Sequence, residues 1–321
     1  MRLLVTGQFV FDSLDVVRAG RCPWALACEL EATRSGQWPE IRDTDPMAEM
    51  LSVAANEHHQ RVRRWWEQSY PNLTACPGEP DGEELLAHIR RHSGVRDTSV
   101  SWIDPETGLS LVAHIEALVP QDDDRYRLEI ASLGRTRKRR QLQLAAGTRE
   151  GLTELGLNVD FRLTRRLGDG GVDEVNLEDA SDQWREAVWA LSGIVEAWRD
   201  GASTHWWSSP FDQCGRESCQ WCQRALIGSD DLFLVARLRR SQRRTLRAHG
   251  IQTMSELAGL SAEELSQRVP DIDPVALRRL HIQATLQVLS SATPHTPPAT
   301  DVPPAAAADD AALAPDAPVV G

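Results

Sequence analysis

Three of the six cysteines fall within nine residues, as Cys214-x4-Cys219-x2-Cys222, in what reads as a loop after Trp206-Trp207-Ser-Ser-Pro210. The N-terminus carries no secretory signal, so the thiols are expected to stay reduced in a cytoplasmic chain, where such spacing serves metal binding better than disulfides. Three sulfurs leave a tetrahedral site one ligand short. Cys22 is the candidate for the fourth, and four thiolates accept either zinc or a [4Fe-4S] cluster. Cys28 reads as a core residue, and Cys76, beside Pro77, as a free thiol. A second group is cationic. Arg135, Arg137, Lys138, Arg139 and Arg140 place five positive charges within six residues of a chain whose formal charge is −12. That density predicts contact with nucleic-acid phosphate, which depends on local rather than total charge. Lys138 is the one lysine in the sequence, so any step that needs an amine has a single candidate.

These residues need elements to hold them. A length of 321 residues, 41% apolar and 26% charged, suits one large or two unequal globular domains. No apolar run approaches the roughly 18 residues that cross a bilayer, so a soluble protein with no membrane partner is expected. Residues 1–230 read as a mixed α/β domain. A helix is expected from near Ser13 to about Ala32, carrying Cys22, and another over residues 46–69. Alternating stretches predict strands over 109–119 and 126–133, around the turn Pro120-Gln-Asp-Asp-Asp124. A helix over 139–155, strands over 157–167 and 172–177, and a long helix to about Arg199 follow. Residues 231–289 read as a small helical unit. One helix ends at Gly250, capping boxes start at Thr253 and Ser261, and Asp273-Pro274 opens a last helix to about Leu289. The stretch Leu238–Thr285 holds eight arginines against five acids. Residues 290–321, rich in Pro, Ala and Asp, cannot offset the entropy of ordering and are expected to be disordered.

Several stretches, in order, carry a family resemblance. They are Leu14-Asp-Val-Val-Arg-Ala-Gly-Arg-Cys22, Asp45-Pro-Met47 with Ala55-Asn-Glu-His-His-Gln-Arg-Val62, Gln141-Leu-Gln-Leu-Ala-Ala146, and Ser229-Asp-Asp-Leu-Phe-Leu-Val-Ala236. Together with one distant cysteine and a later group of three, they resemble the iron–sulfur branch of the RecB-like PD-(D/E)XK nucleases over about residues 8–285. The resemblance implies a restriction-endonuclease-like α/β core with flanking helices and a [4Fe-4S] cluster on Cys22, Cys214, Cys219 and Cys222. It also implies a small all-α helix-hairpin-helix-like domain around His249-Gly250-Ile251, whose hairpin amides would grip a DNA phosphate. The activity it implies is metal-dependent DNA cleavage, by an exonuclease of repair or recombination acting on single strands or DNA ends, with any helicase a separate partner. Mg²⁺ or Mn²⁺ would be held by His58, Glu116 and Glu129, and would activate the attacking water. Gln143 matches a further site residue.

The match departs from the family at the chemistry. The Glu-x-Lys motif reads Glu129-Ile130-Ala131, so its lysine is missing, and Lys138 is the one residue that could reach back in its place. The motif acid after His58 is His59, and the tyrosine of Gln-Leu-x-x-Tyr is Gly147. Three readings follow: an active nuclease, a degraded nuclease fold kept for DNA binding or as a scaffold, or an unrelated zinc-stabilised α/β protein.

Overall fold

The computed structural model describes residues 1–38, 46–76, 78–122, 124–214 and 219–292. Asp45 and residues 293–321, the bulk of the stretch expected to be disordered, lie outside them. The chain divides into two units, Met1–Gly228 and Ser229–Gly321.

The first unit opens with β1 (Arg2–Leu3), β2 (Phe9–Asp12), α1 (Ser13–Ala19), α2 (Pro23–Ser35) and α3 (Pro46–Ser69). Then come β3 (Thr74–Ala75), α4 (Gly82–His92), β4 (Val95–Ile103), β5 (Ser110–Pro120) and β6 (Arg125–Ser132). It closes with α5 (Arg139–Glu154), β7 (Asn158–Leu167), β8 (Val172–Asn176), α6 (Glu178–Arg199) and α7 (Gln220–Gly228). The single helix expected over 13–32 is two. Pro23 sits in the first turn of α2, where its missing N–H costs nothing, and the chain kinks through Gly20, Arg21 and Cys22 before it. Cys22 is therefore the N-cap of α2, in the break between helices, and not a residue on a helix face.

All eight strands join one mixed sheet, in the order β1-β2-β5-β6-β7-β8, with β4 on the other edge of β5 and β3 beyond it. One edge of β5 is shared. Its start pairs with β2 over Ser110–Val112, and its end pairs antiparallel with β6 from Ala117↔Glu129 to Pro120↔Tyr126. Past Glu129, β6 continues on β7 alone as far as Ser132. The two central strands therefore fork at Glu116 and Ile130. Val62 and Trp66 of α3 pack on Ala117, Val119 and Ala131 beside this fork. Leu128 and Ile130, which alternate with Glu129 and Ala131, are also buried, so β6 is covered on both faces. The second cover is α5, which packs on β5 and β7 and so crosses β6, with α1 and α6 packed behind it.

The second unit holds a short 3-10 turn at Leu232–Leu234, then α8 (Arg240–Ala248), α9 (Met254–Gly259), α10 (Ala262–Arg268) and α11 (Pro274–Ala292). Capping boxes stand at Thr253/Glu256 and Ser261/Glu264, where the sequence places them. Leu246, Ile251, Leu257, Leu265 and Leu277 form its own buried core. Gly250 takes φ +77°, a left-handed turn that glycine makes without strain.

Candidate metal centre and strand fork

The first chemistry-bearing cluster arises from the kink before α2 and the start of α7. Cys22 and Cys222 are buried, Cys214 and Cys219 half-buried. The Sγ atoms of Cys22 and Cys222 lie 3.5 Å apart, those of Cys214 and Cys222 3.5 Å, and those of Cys219 and Cys22 3.9 Å. All four sulfurs fall within 4.8 Å of one another and could hold a metal ion. No other group of ligand-type side chains does so among the described residues. The spread matches the edge of a ZnS₄ tetrahedron, about 3.8 Å for Zn–S bonds of about 2.3 Å. A [4Fe-4S] cubane interposes its own sulfide cage, and would need these side chains to swing apart. Cys28 is buried in α2, its sulfur 4.0 Å from the Thr204 carbonyl, and Cys76 is half-buried away from the four.

Crowding sets the proton state of these thiols. Contacts from the neighbouring sulfurs push Cys222 and Cys22 far above the ordinary thiol range. At Cys219 the contact from Cys214 pushes upward, but those from Cys22 and Cys222 outweigh it and bring the thiol down to about 7. Four thiols this close cannot all ionise without a cation among them, so loading a metal must release protons.

The second cluster is the fork. Glu116 fills the gap between the parted strands, its Oε2 accepting the Ala131 amide at 2.8 Å and lying 3.6 Å from His59 Nδ1. Burial pushes the Glu116 carboxyl up to about 7, against the pull of that amide, and the nearby charge of Asp97 adds to the rise. Glu129 is buried and fully engaged. Its Oε2 accepts Trp66 Nε1 at 2.8 Å and Arg166 Nε at 2.7 Å, and its Oε1 accepts the Tyr70 hydroxyl at 3.2 Å. Arg166 stands across from Ala131 in the β6–β7 register and lies 3.1 Å over the Trp65 ring. The carbonyl of the same residue accepts the buried His58 Nε2 at 2.9 Å. His58, Glu116 and Glu129 thus gather around the fork, but each is bound to protein groups.

Sequence reasoning missed Arg166 and Asp97 as parts of this region, while His59, which it placed at the motif-acid position, stands beside Glu116. Asp97 sits at φ +52° within β4, its carboxylate held by Arg63 and Arg96. No spacing rule points to it, because a left-handed aspartate inside a strand leaves no mark on alternation. Gln143 lies elsewhere, buried on α5 in the wall of a cleft that also reaches Cys22.

The cationic run is exposed throughout, from Arg135 to Arg140. Its backbone is clamped from below by the fully buried Arg165, which donates to the carbonyls of Gly134, Arg135 and Thr136 and to Ser132 Oγ. Arg135 and Arg137 pair with Asp169 and Asp173, while Arg139 donates to Gln183. Lys138 is exposed at the N-cap of α5. In the second unit, the amides of His249 to Thr253 all bond internally: His249, Gly250 and Ile251 donate to α8 carbonyls, and Gln252 and Thr253 to the Glu256 carboxylate. Arg268 covers the carbonyls of His249 and Gly250.

No protein-family profile and no curated protein matches the chain. Among solved structures it is similar to a crystal structure of a candidate exonuclease from Eubacterium rectale, at 11% identity over 70% of this chain and 93% of that one, with a TM-score of 0.38.

Proposed function

We propose that this protein is a nucleic-acid-binding module built on a degraded RecB-like nuclease fold and held closed by a four-cysteine metal centre. The observation that carries the reading is Arg166 on Glu129. A metal-dependent nuclease needs that carboxylate free for the ion and a lysine two residues on to position the water. Here the carboxylate is neutralised by a guanidinium and saturated by Trp66 and Tyr70, and the lysine position is Ala131. The exposed run from Arg135 to Arg140 supports nucleic-acid contact. The order of the cysteines, one early and three late, supports [4Fe-4S]; the spacing of their sulfurs supports a single zinc ion. In either case the four thiolates would supply −4 of charge and the metal would act as a structural bond.

Two experiments test this. Protein purified without oxygen should carry either absorbance near 400 nm with bound iron, or one zinc per chain; protein with neither metal overturns the centre. With Mn²⁺, the wild type should bind single-stranded DNA and cut it no faster than about 10²–10³-fold below an intact site, the usual cost of losing one positioned electrostatic group. Brisk cutting that His58→Ala abolishes would replace the degraded reading with the active one.

A further inference from the structure

Beside the cysteines runs a cleft of about 1070 Å³, walled by α1 and α2 on one side and by α5, α6 and the start of α7 on the other. Arg18, Arg21, Arg139 and Arg140 line it, against two acids, Glu29 and Glu186. Glu29 is already engaged, by Arg18 and by Trp221 Nε1 at 2.9 Å. Among the described residues neither Arg21 nor Arg140 has a carboxylate partner. The two nevertheless sit close enough to oppose one another. Burial first, then the charges of Arg21 and Arg18, hold the Arg140 guanidinium below its ordinary range, with Asp12 offsetting only part of this. Two of the four cleft arginines, Arg21 and Arg140, thus lack a carboxylate partner among the described residues, which suits the pair to an anion.

The anion is extended rather than compact, because the charge does not stop at the cleft. Arg139 and Arg140 line the cleft and follow directly on the exposed Lys138, while Arg137 and Arg135 earlier in the run pair with Asp173 and Asp169. An aromatic pair adjoins the cleft. Trp221 lines the cleft, and Trp38, about half exposed, lies 6.4 Å from it between ring centres. Cations that follow a backbone, with exposed rings for unpaired bases, are the two parts of a single-strand site.

We infer that this cleft binds the phosphodiester backbone of one nucleic-acid strand, with Arg21 and Arg140 on phosphates and Trp38 stacking on a base. The inference rests on the nucleic-acid reading above and adds the path of the strand, on the cysteine side of the molecule and away from the fork. The competing role for the arginines is to balance the charge of the thiolate centre.

The test is titration of metal-loaded protein with a fluorescein-labelled 20-mer of thymidylate across a salt series. Arg21→Gln with Arg140→Gln should weaken binding about tenfold or more and flatten the log–log salt slope by about 1.4, two phosphates at about 0.7 each. Trp38→Ala should weaken it about tenfold with the slope unchanged, since stacking releases no counter-ions. An unlabelled blunt duplex of equal length should compete poorly. If the wild type binds no nucleic acid, this inference and the function proposed above fall together. If it binds but the arginine pair changes neither affinity nor slope, the strand runs elsewhere and only this inference falls. A duplex that competes equally overturns the single-strand assignment. Should the double variant lose its metal, Trp38→Ala decides, and unchanged affinity in that variant overturns the site.

Discussion

At the scale of single residues, the fork stores a carboxyl that prefers its proton. Glu116 ionises near 4.5 when exposed but only near 7 in the folded chain, because burial penalises the anion more than the Ala131 amide relieves it. Between those two values the folded state binds more protons than the unfolded one, so stability falls as pH rises through the window. The loss is complete above about pH 7 and absent below about 4.5, and amounts to about 3 kcal/mol at most. Glu116→Gln, which keeps an acceptor for the amide, should melt with the wild type near pH 4.5 and above it at pH 8; parallel pH profiles would exclude the effect. The neighbouring Glu129 is held by donors on both oxygens. Arg166→Met leaves a buried carboxylate with only Trp66 and Tyr70 as donors, and should cost about 3–5 kcal/mol in urea unfolding. Most of that should return when Glu129→Gln is added, because the uncompensated charge is then gone.

Among elements, α5 shows where local pattern and packing disagree. Gly147 and Gly151 lie inside a helix, where glycine costs about 1 kcal/mol relative to alanine. A Cβ at Gly147 would stand 2.5 Å from the Trp184 ring, and one at Gly151 2.6 Å from the Trp102 ring. Alanine at Gly147 should therefore destabilise the protein by about 1–3 kcal/mol despite its better helix propensity. Gly193 on α6 meets nothing within 4 Å, so Gly193→Ala should instead gain about 0.5–1 kcal/mol. Thermal melts of the two variants moving in the same direction would refute this account. Trp184 of α6 fills the space a larger side chain at 147 would take, and donates to Glu150 at 3.1 Å. Periodicity made α3, α5, α6 and the strand pairs β5–β6 and β7–β8 legible in advance, since each is long and regularly patterned. It did not show the helix break at Cys22, where Pro23 overrides an apolar run that continues on both sides. Nor did it show β2, four residues long, or α7, which begins inside the cysteine spacing. The four cysteines were legible because their chemistry depends on residue type. Arg166 was not, because its role comes from a strand register that brings together positions 37 residues apart.

For the whole first unit, the four-cysteine cluster joins the early part of the chain to its last helix. Cys22 and Cys214 are 192 residues apart, and closing a loop of that length without a cross-link carries a large entropic cost. Cys214→Ser should lower the melting temperature of this unit and release the metal, while Cys76→Ser should change neither; equal melts for both would show that the centre contributes nothing to stability. The same span imposes an order on events at the ribosome. Cys22 leaves the exit tunnel long before its three partners have been translated, and a lone thiol holds a metal poorly. Loading must wait until α7 has emerged, by which time every strand of the sheet is available to fold. Chains arrested before Cys214 should emerge metal-free, whereas chains arrested well beyond Gly228 should bind it. Metal insertion would then mark which nascent chains have been extended past α7.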